Sequence, residues 1–127
     1  MLALQGDTAP YLQYSCVRVR SIFRKLEAGV EIDRGNVKIE ADAEIHLART
    51  LVRFGETVPA LLIDFRPNVL TNYLLELAKA FHSFFEACPV LKSEGDTQNT
   101  RLVLCELTSQ VLVKGLGLLG IEAPERM

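Results

Sequence analysis

The chain has 127 residues, a size suited to one domain with a real core. It carries 14 Lys and Arg against 16 Asp and Glu, a formal net charge of −2, which argues against a uniformly basic nucleic-acid binder. It has six Phe, three Tyr and no Trp; no apolar run approaches the roughly 20 residues that span a bilayer, and the start lacks the pattern of a signal peptide.

Residues 1–9 read as an irregular lead-in, with Gly6-Asp7-Thr8 as turn chemistry. Pro10 suits the first turn of a helix, and Asp7 or Thr8 suits its cap. That helix is expected to run to about Ala28 and stop at Gly29. Leu12, Cys16, Val19, Phe23 and Leu26 fall within about 80° of one another, a single buried stripe. Tyr11, Arg18 and Lys25 follow one flank of it; Gln13, Arg20 and Arg24 follow the other. From Thr8 to Leu26 there are four basic residues and no acidic one, so one cationic face is possible on an acidic chain.

A polar connection over 29–40 turns at Gly35-Asn36. A second helix is expected from Ala41 to Phe54, ended by Gly55. Thr57-Val58-Pro59 opens a short third one through Phe65, and Arg66-Pro67-Asn68 breaks it. The fourth spans about Asn68 to Cys88 on a wide stripe that includes Leu70, Leu74, Leu77, Phe81 and Phe84, with Pro89 as its end. The last begins near Thr97 to Thr100, and Gly115, Gly117 and Gly120 weaken its end. No sustained strand alternation is present. The expected fold is an all-α five-helix bundle, one domain over 1–127.

Chemistry is sparse. Cys16, Cys88 and Cys105 are odd in number, far apart and without a CxxC pair, so they read as buried thiols in a reducing cytosol rather than as disulfides or zinc ligands. His46 and His82 have no partner at suggestive spacing, and His82 beside Phe81 reads as a partly buried helix residue. No phosphate loop, HExxH or GxSxG occurs. Catalytic residues, metal ligands and a cofactor are not expected in this chain. For single-stranded RNA the first helix offers Tyr11, Gln13, Tyr14, Arg18 and Arg20: rings and guanidinium planes for bases, cations for phosphates. On pattern alone, a merely solvated basic face explains these residues better. A helical module that meets a protein through the same Tyr/Arg face is the alternative.

Three segments tip the balance. Gly6-Asp7-Thr8-Ala9-Pro10-Tyr11-Leu12-Gln13-Tyr14, with Arg18, Arg20, Ser21 and Ile22, is similar to G-[ND]-[TS]-x-P-Y-[LV]-Q-Y-x-x-x-R-x-x-S-[IV]. Phe84 to Leu91 forms the second, and Arg101 to Cys105 through Gly115 to Ile121 and Pro124-Glu125-Arg126-Met127 the third. In that order they resemble the C-terminal anticodon-binding domain of class I arginyl-tRNA synthetases. The resemblance implies one helical domain of a longer cytoplasmic ligase that joins arginine to its tRNA with ATP. HIGH- and KMSK-like signatures are absent, so the chain would bind and not catalyse, as a monomer, beside the catalytic domain of the same protein. It also implies that Gln5 and Gly6, in a loop of about Gln5 to Pro10, lie against the anticodon. Arg18 or Arg20, Phe85 and Met127 would line a pocket for its middle base. Every arginine anticodon has C there, so one pocket would serve all arginine tRNAs. An acceptor for the cytosine amino group would come from backbone carbonyls of the tail or the lead-in loop, or from a Met127 carboxylate.

Overall fold

The computed structural model describes residues 8–26, 32–63, 67–93 and 95–121. These form five helices: α1 (Thr8–Arg24), α2 (Asp42–Val52), α3 (Phe54–Ile63), α4 (Pro67–Ala87) and α5 (Gly95–Leu118). No strand occurs among the described residues, and no helix among them is long and apolar enough to cross a membrane. The all-α bundle is as the periodicity predicts.

Helix α4 is the axis of the assembly and packs against α1, α2, α3 and α5. Leu70, Leu74, Leu77, Phe81 and Phe84 are wholly buried along it, the stripe expected from their spacing. On α1 the stripe of Leu12, Cys16 and Val19 is equally buried, with Phe23 and Leu26 packed at the margin. Leu102, Val103, Leu104 and Cys105 are four consecutive buried residues, so α5 is covered on every side at that level. All three cysteines are buried and free. Burial pushes the Cys105 thiol up to about 12 and, against the pull of Arg20, that of Cys16 to about 11.

Several boundaries move. Helix α1 starts at Thr8, with Pro10 in its first turn as expected, and its regular hydrogen bonding ends at Arg24, short of Ala28. Arg53 alone separates α2 from α3, so Gly55 lies inside α3 and Pro59 sits in that helix rather than opening it. Pro67 starts α4, where a missing N–H removes no helical bond. Helix α5 begins two residues early, at Gly95, and continues through Gly115 and Gly117. Gly120 then closes it: its φ is 75°, its N–H donates to Gly117 O at 3.0 Å, and the N–H of Ile121 donates to Leu116 O at 2.8 Å. This is the left-handed glycine cap that ends many helices.

Two contacts lock the bundle. At Gly115 the Leu74 side chain of α4 lies so close to the α5 backbone that a Cβ would stand 2.6 Å from its δ-carbon. At the other end Glu44, only 3 % exposed, accepts hydrogen bonds from Glu40 N at 3.0 Å, Ala41 N at 3.1 Å and Arg101 Nε at 2.8 Å. Arg101 also donates from Nη1 to Pro89 O at 2.8 Å. One ion pair thus joins the start of α2, the body of α5 and the turn between α4 and α5.

Burial alone would raise the Glu44 carboxyl; the Arg101 guanidinium and the two backbone amides outweigh it and hold the group below the ordinary carboxylate value. A carboxyl depressed in the folded state stabilises above its unfolded-state pKa, and that contribution disappears as pH falls through the folded value. Denaturant titration of Glu44→Gln should show a loss of about 3 kcal/mol at neutral pH, because Arg101 keeps its charge without a counter-ion. The loss should shrink at acid pH, where Glu44 is itself protonated; a constant loss would exclude the ion pair as its source. Gly115→Ala should destabilise by about 1 kcal/mol: better helix propensity returns about 1 kcal/mol, and crowding against Leu74 costs about 2.

Candidate nucleic-acid interface

Helices α1 and α4 run side by side in the same direction. Ser15 meets His82, a separation of 67 residues, and Arg18 meets Phe85 one turn further on at the same offset. The buried stripes of the two helices fix this register and leave a seam where Tyr11, Tyr14 and Arg18 face His82 and Phe85.

Arg18 organises the seam. Its Nη2 donates to the Tyr14 hydroxyl at 2.9 Å, and its Cζ lies 4.9 Å from the Phe85 ring centroid and 5.3 Å from that of Tyr14. Both distances suit cation–π attraction, about 0.5–1 kcal/mol at an exposed site. Tyr14 is 44 % exposed, so part of its ring faces solvent. Beside these groups lies an open depression of about 290 Å³. Val17, Ile22, Phe85 and Leu91 give it apolar walls, while Arg18, Ser21, Arg24 and Lys25 set hydrogen-bond donors around it. Four acids on other parts of the fold are paired with cations there: Glu106 with Arg34, Asp96 with Lys38, Glu76 with Arg53 and Glu44 with Arg101.

The site residues named from the sequence fare unequally. Tyr14, Arg18 and Phe85 come together at the depression. Tyr11 sits further along the seam, half-buried against His82, its ring centroid 5.6 Å away, and burial raises its phenol. Arg20 and Gln13 lie on the other flank of α1, have interactions of their own and do not line the depression. Gln5, Gly6 and Met127 fall outside the described residues, as do the lead-in loop before Thr8 and the tail after Ile121.

Sequence reasoning missed the role of the α4–α5 turn, which brings Leu91 to the depression, while His82 is the partly buried helix residue expected. The ring of His82 packs against Tyr11 and Tyr14, and its Nε2 lies 3.1 Å from Ser15 Oγ. The available signal was the repeat of a three-residue step, Ser15 to Arg18 on one helix and His82 to Phe85 on the other. Among the described residues no group of three or more His, Cys, Asp or Glu is arranged to hold a metal ion.

Comparison with known proteins places this geometry. The family model of the DALR anticodon binding domain matches residues 12–127. An arginine–tRNA ligase of Shewanella denitrificans is 48 % identical over 128 aligned residues, and that of Thermobifida fusca is also 48 % identical. Each alignment takes in the whole chain but 22 % of the relative, so the chain spans less than a quarter of those proteins. Among solved structures, the arginyl-tRNA synthetase of Thermus thermophilus superposes with a TM-score of 0.84 at 35 % identity, over 97 % of this chain and 22 % of its own. That of Plasmodium falciparum gives 0.84 at 27 % identity, over 99 % and 22 %. With a matching sequence model over nearly its whole length and the same helical arrangement, the chain belongs to the DALR anticodon binding domain family.

Proposed function

We propose that this chain is the anticodon-binding part of an arginine–tRNA ligase and holds the anticodon loop of arginine tRNA on the α1–α4 seam. The single observation that carries the reading is Arg18, held between Tyr14 and Phe85 at the edge of a depression edged with donors. Single-stranded loops are gripped by such planes, because unstacked bases need a flat partner and an edge to bond with. Arg24 and Lys25 supply cations for the flanking phosphates.

The chemistry also suggests which base is read. A guanidinium only donates. Cytosine presents two adjacent acceptors, O2 and N3, to a forked donor, whereas uracil carries a proton on N3 and repels it. A donor-lined depression therefore favours C over U at the middle anticodon position. Arg18 is the reader in this account, and Arg20 lies about 160° round the helix from it. Joining arginine to tRNA with ATP would belong to the remainder of the ligase, working in the cytoplasm.

The test is fluorescence anisotropy of a labelled arginine anticodon stem–loop, compared with a copy whose middle C is U. Preference for C is expected. Arg18→Ala should cost about 1–3 kcal/mol of binding and reduce that preference, while Arg20→Ala should leave the preference intact. Affinity that ignores both the base and Arg18 would leave a general cationic surface and remove this reading.

A further inference from the structure

Ser15 is fully buried, and its hydroxyl has a single hydrogen. That hydrogen goes to Tyr11 O, 3.0 Å away in the preceding turn. With the hydrogen on Tyr11 O, the oxygen accepts from His82 Nε2 at 3.1 Å, and the tautomer taken for the proposal below is the one with the neutral ring's proton on Nε2. Nδ1 is left as a bare acceptor. No buried side-chain nitrogen or oxygen among the described residues lacks a partner, and no described residue bonds Nδ1.

The bond is not there to satisfy Ser15, whose donor is already used. Its effect is to orient the imidazole. Three rings complete the orientation: Phe81 edge-on at 5.7 Å, Tyr11 tilted at 5.6 Å and Tyr14 nearly parallel, at 22°, with centroids 6.2 Å apart. Burial, then the Arg18 charge, keep the ring below its ordinary pKa against the opposing pull of Glu86, so it is neutral at pH 7. An acceptor of fixed polarity therefore stands beside the exposed Tyr14 ring, about 4.5 Å along α4 from Phe85, on a face otherwise rich in donors.

We propose that His82 and Tyr14 form a second nucleotide station next to the Arg18–Phe85 depression. The neighbouring nucleotide stacks on Tyr14 and donates a hydrogen bond to His82 Nδ1 from its 2′-hydroxyl or an exocyclic amino group. The station rests on the anticodon-loop reading above and extends it from one base to two.

The experiment compares the parent chain with His82→Phe, which keeps a ring, and His82→Asn, whose amide oxygen can stand near the position of Nδ1. Each is titrated with the arginine anticodon stem–loop, and thermal unfolding of each protein is recorded. His82→Phe should bind about three- to tenfold more weakly at an unchanged melting temperature, and His82→Asn should recover part of the loss. In the parent, one 2′-deoxy substitution in the loop should produce the same loss and add nothing in His82→Phe, if the donor is the ribose. If it is a base, replacing one amino-bearing base will do so instead. Normal binding by His82→Phe with impaired binding by Arg18→Ala would overturn the station and spare the anticodon reading. Equal losses in both His82 variants with lowered melting temperatures would also overturn it, in favour of a packing role. Failure of the parent to bind would remove both readings.

Discussion

The packing of α1 against α4 is the constraint on which the site depends. Helix α4 touches all four other helices, and Phe81 and Phe84 are buried without remainder, so its rotation is fixed from every side. Phe85 and His82 project about 40° and 100° round the axis from Phe81 and can only face α1. A one-step slip of α1 would bury Tyr11 or Arg18 in place of Leu12, Cys16 and Val19, at a cost of several kcal/mol. Nothing in the seam has to be stabilised by its own contacts. The core sets it, and the rings and guanidinium arrive prearranged.

Charge placement follows the same division. A net charge of −2 says little about the seam, since four of the described acids are paired with cations on other elements. Arg34 with Glu106 and Lys38 with Asp96 are exposed, and such pairs contribute at most about 1 kcal/mol each. Their larger effect is to draw the 32–40 segment onto α5, with help from Asn99, which bonds both Asp33 and Asn36. Glu44 and Arg101 differ because they are buried, and removing either strands a charge. Arg18 has a phenol oxygen and two ring faces as its partners, and no carboxylate among the described residues is paired with it.

Helix number and core were readable because burial imposes a period, and the stripes on α1 and α4 are the strongest periods in the chain. The junction of α2 and α3 was not readable. Gly55 and Pro59 are ordinary breakers, yet the break falls at Arg53, which bonds Glu76 and lies 5.9 Å from the Tyr73 ring. Tyr73 in turn donates to Thr50 O at 2.7 Å, so tertiary contact with α4 decides where α2 ends. Gly115 looked like a weak helix end for a similar reason: its value lies in the approach of Leu74, which no local pattern reveals. Which of Arg18 and Arg20 meets α4 was open for as long as α4 had no position, since both are Arg on a flank of the same stripe. The contact of His82 with Ser15 spans 67 residues and is beyond any motif.

The stacking order in the seam bears on what Phe85 contributes. Its ring already carries the Arg18 guanidinium, with Cζ 4.9 Å from the centroid, so a base could take that face only by expelling Arg18. Expulsion would forfeit the cation–π contact and the bond to Tyr14, about 1–2 kcal/mol together. Releasing the side chain would return about 0.5–1.5 kcal/mol of rotamer freedom, which offsets only part of that loss. A base stacking on the outer plane of the guanidinium loses neither. Phe85 then acts through Arg18, as a backing that keeps the donor fork flat and aimed into the depression. In the proposed complex a hydroxyl on that ring would add little, because the guanidinium stands between it and the base.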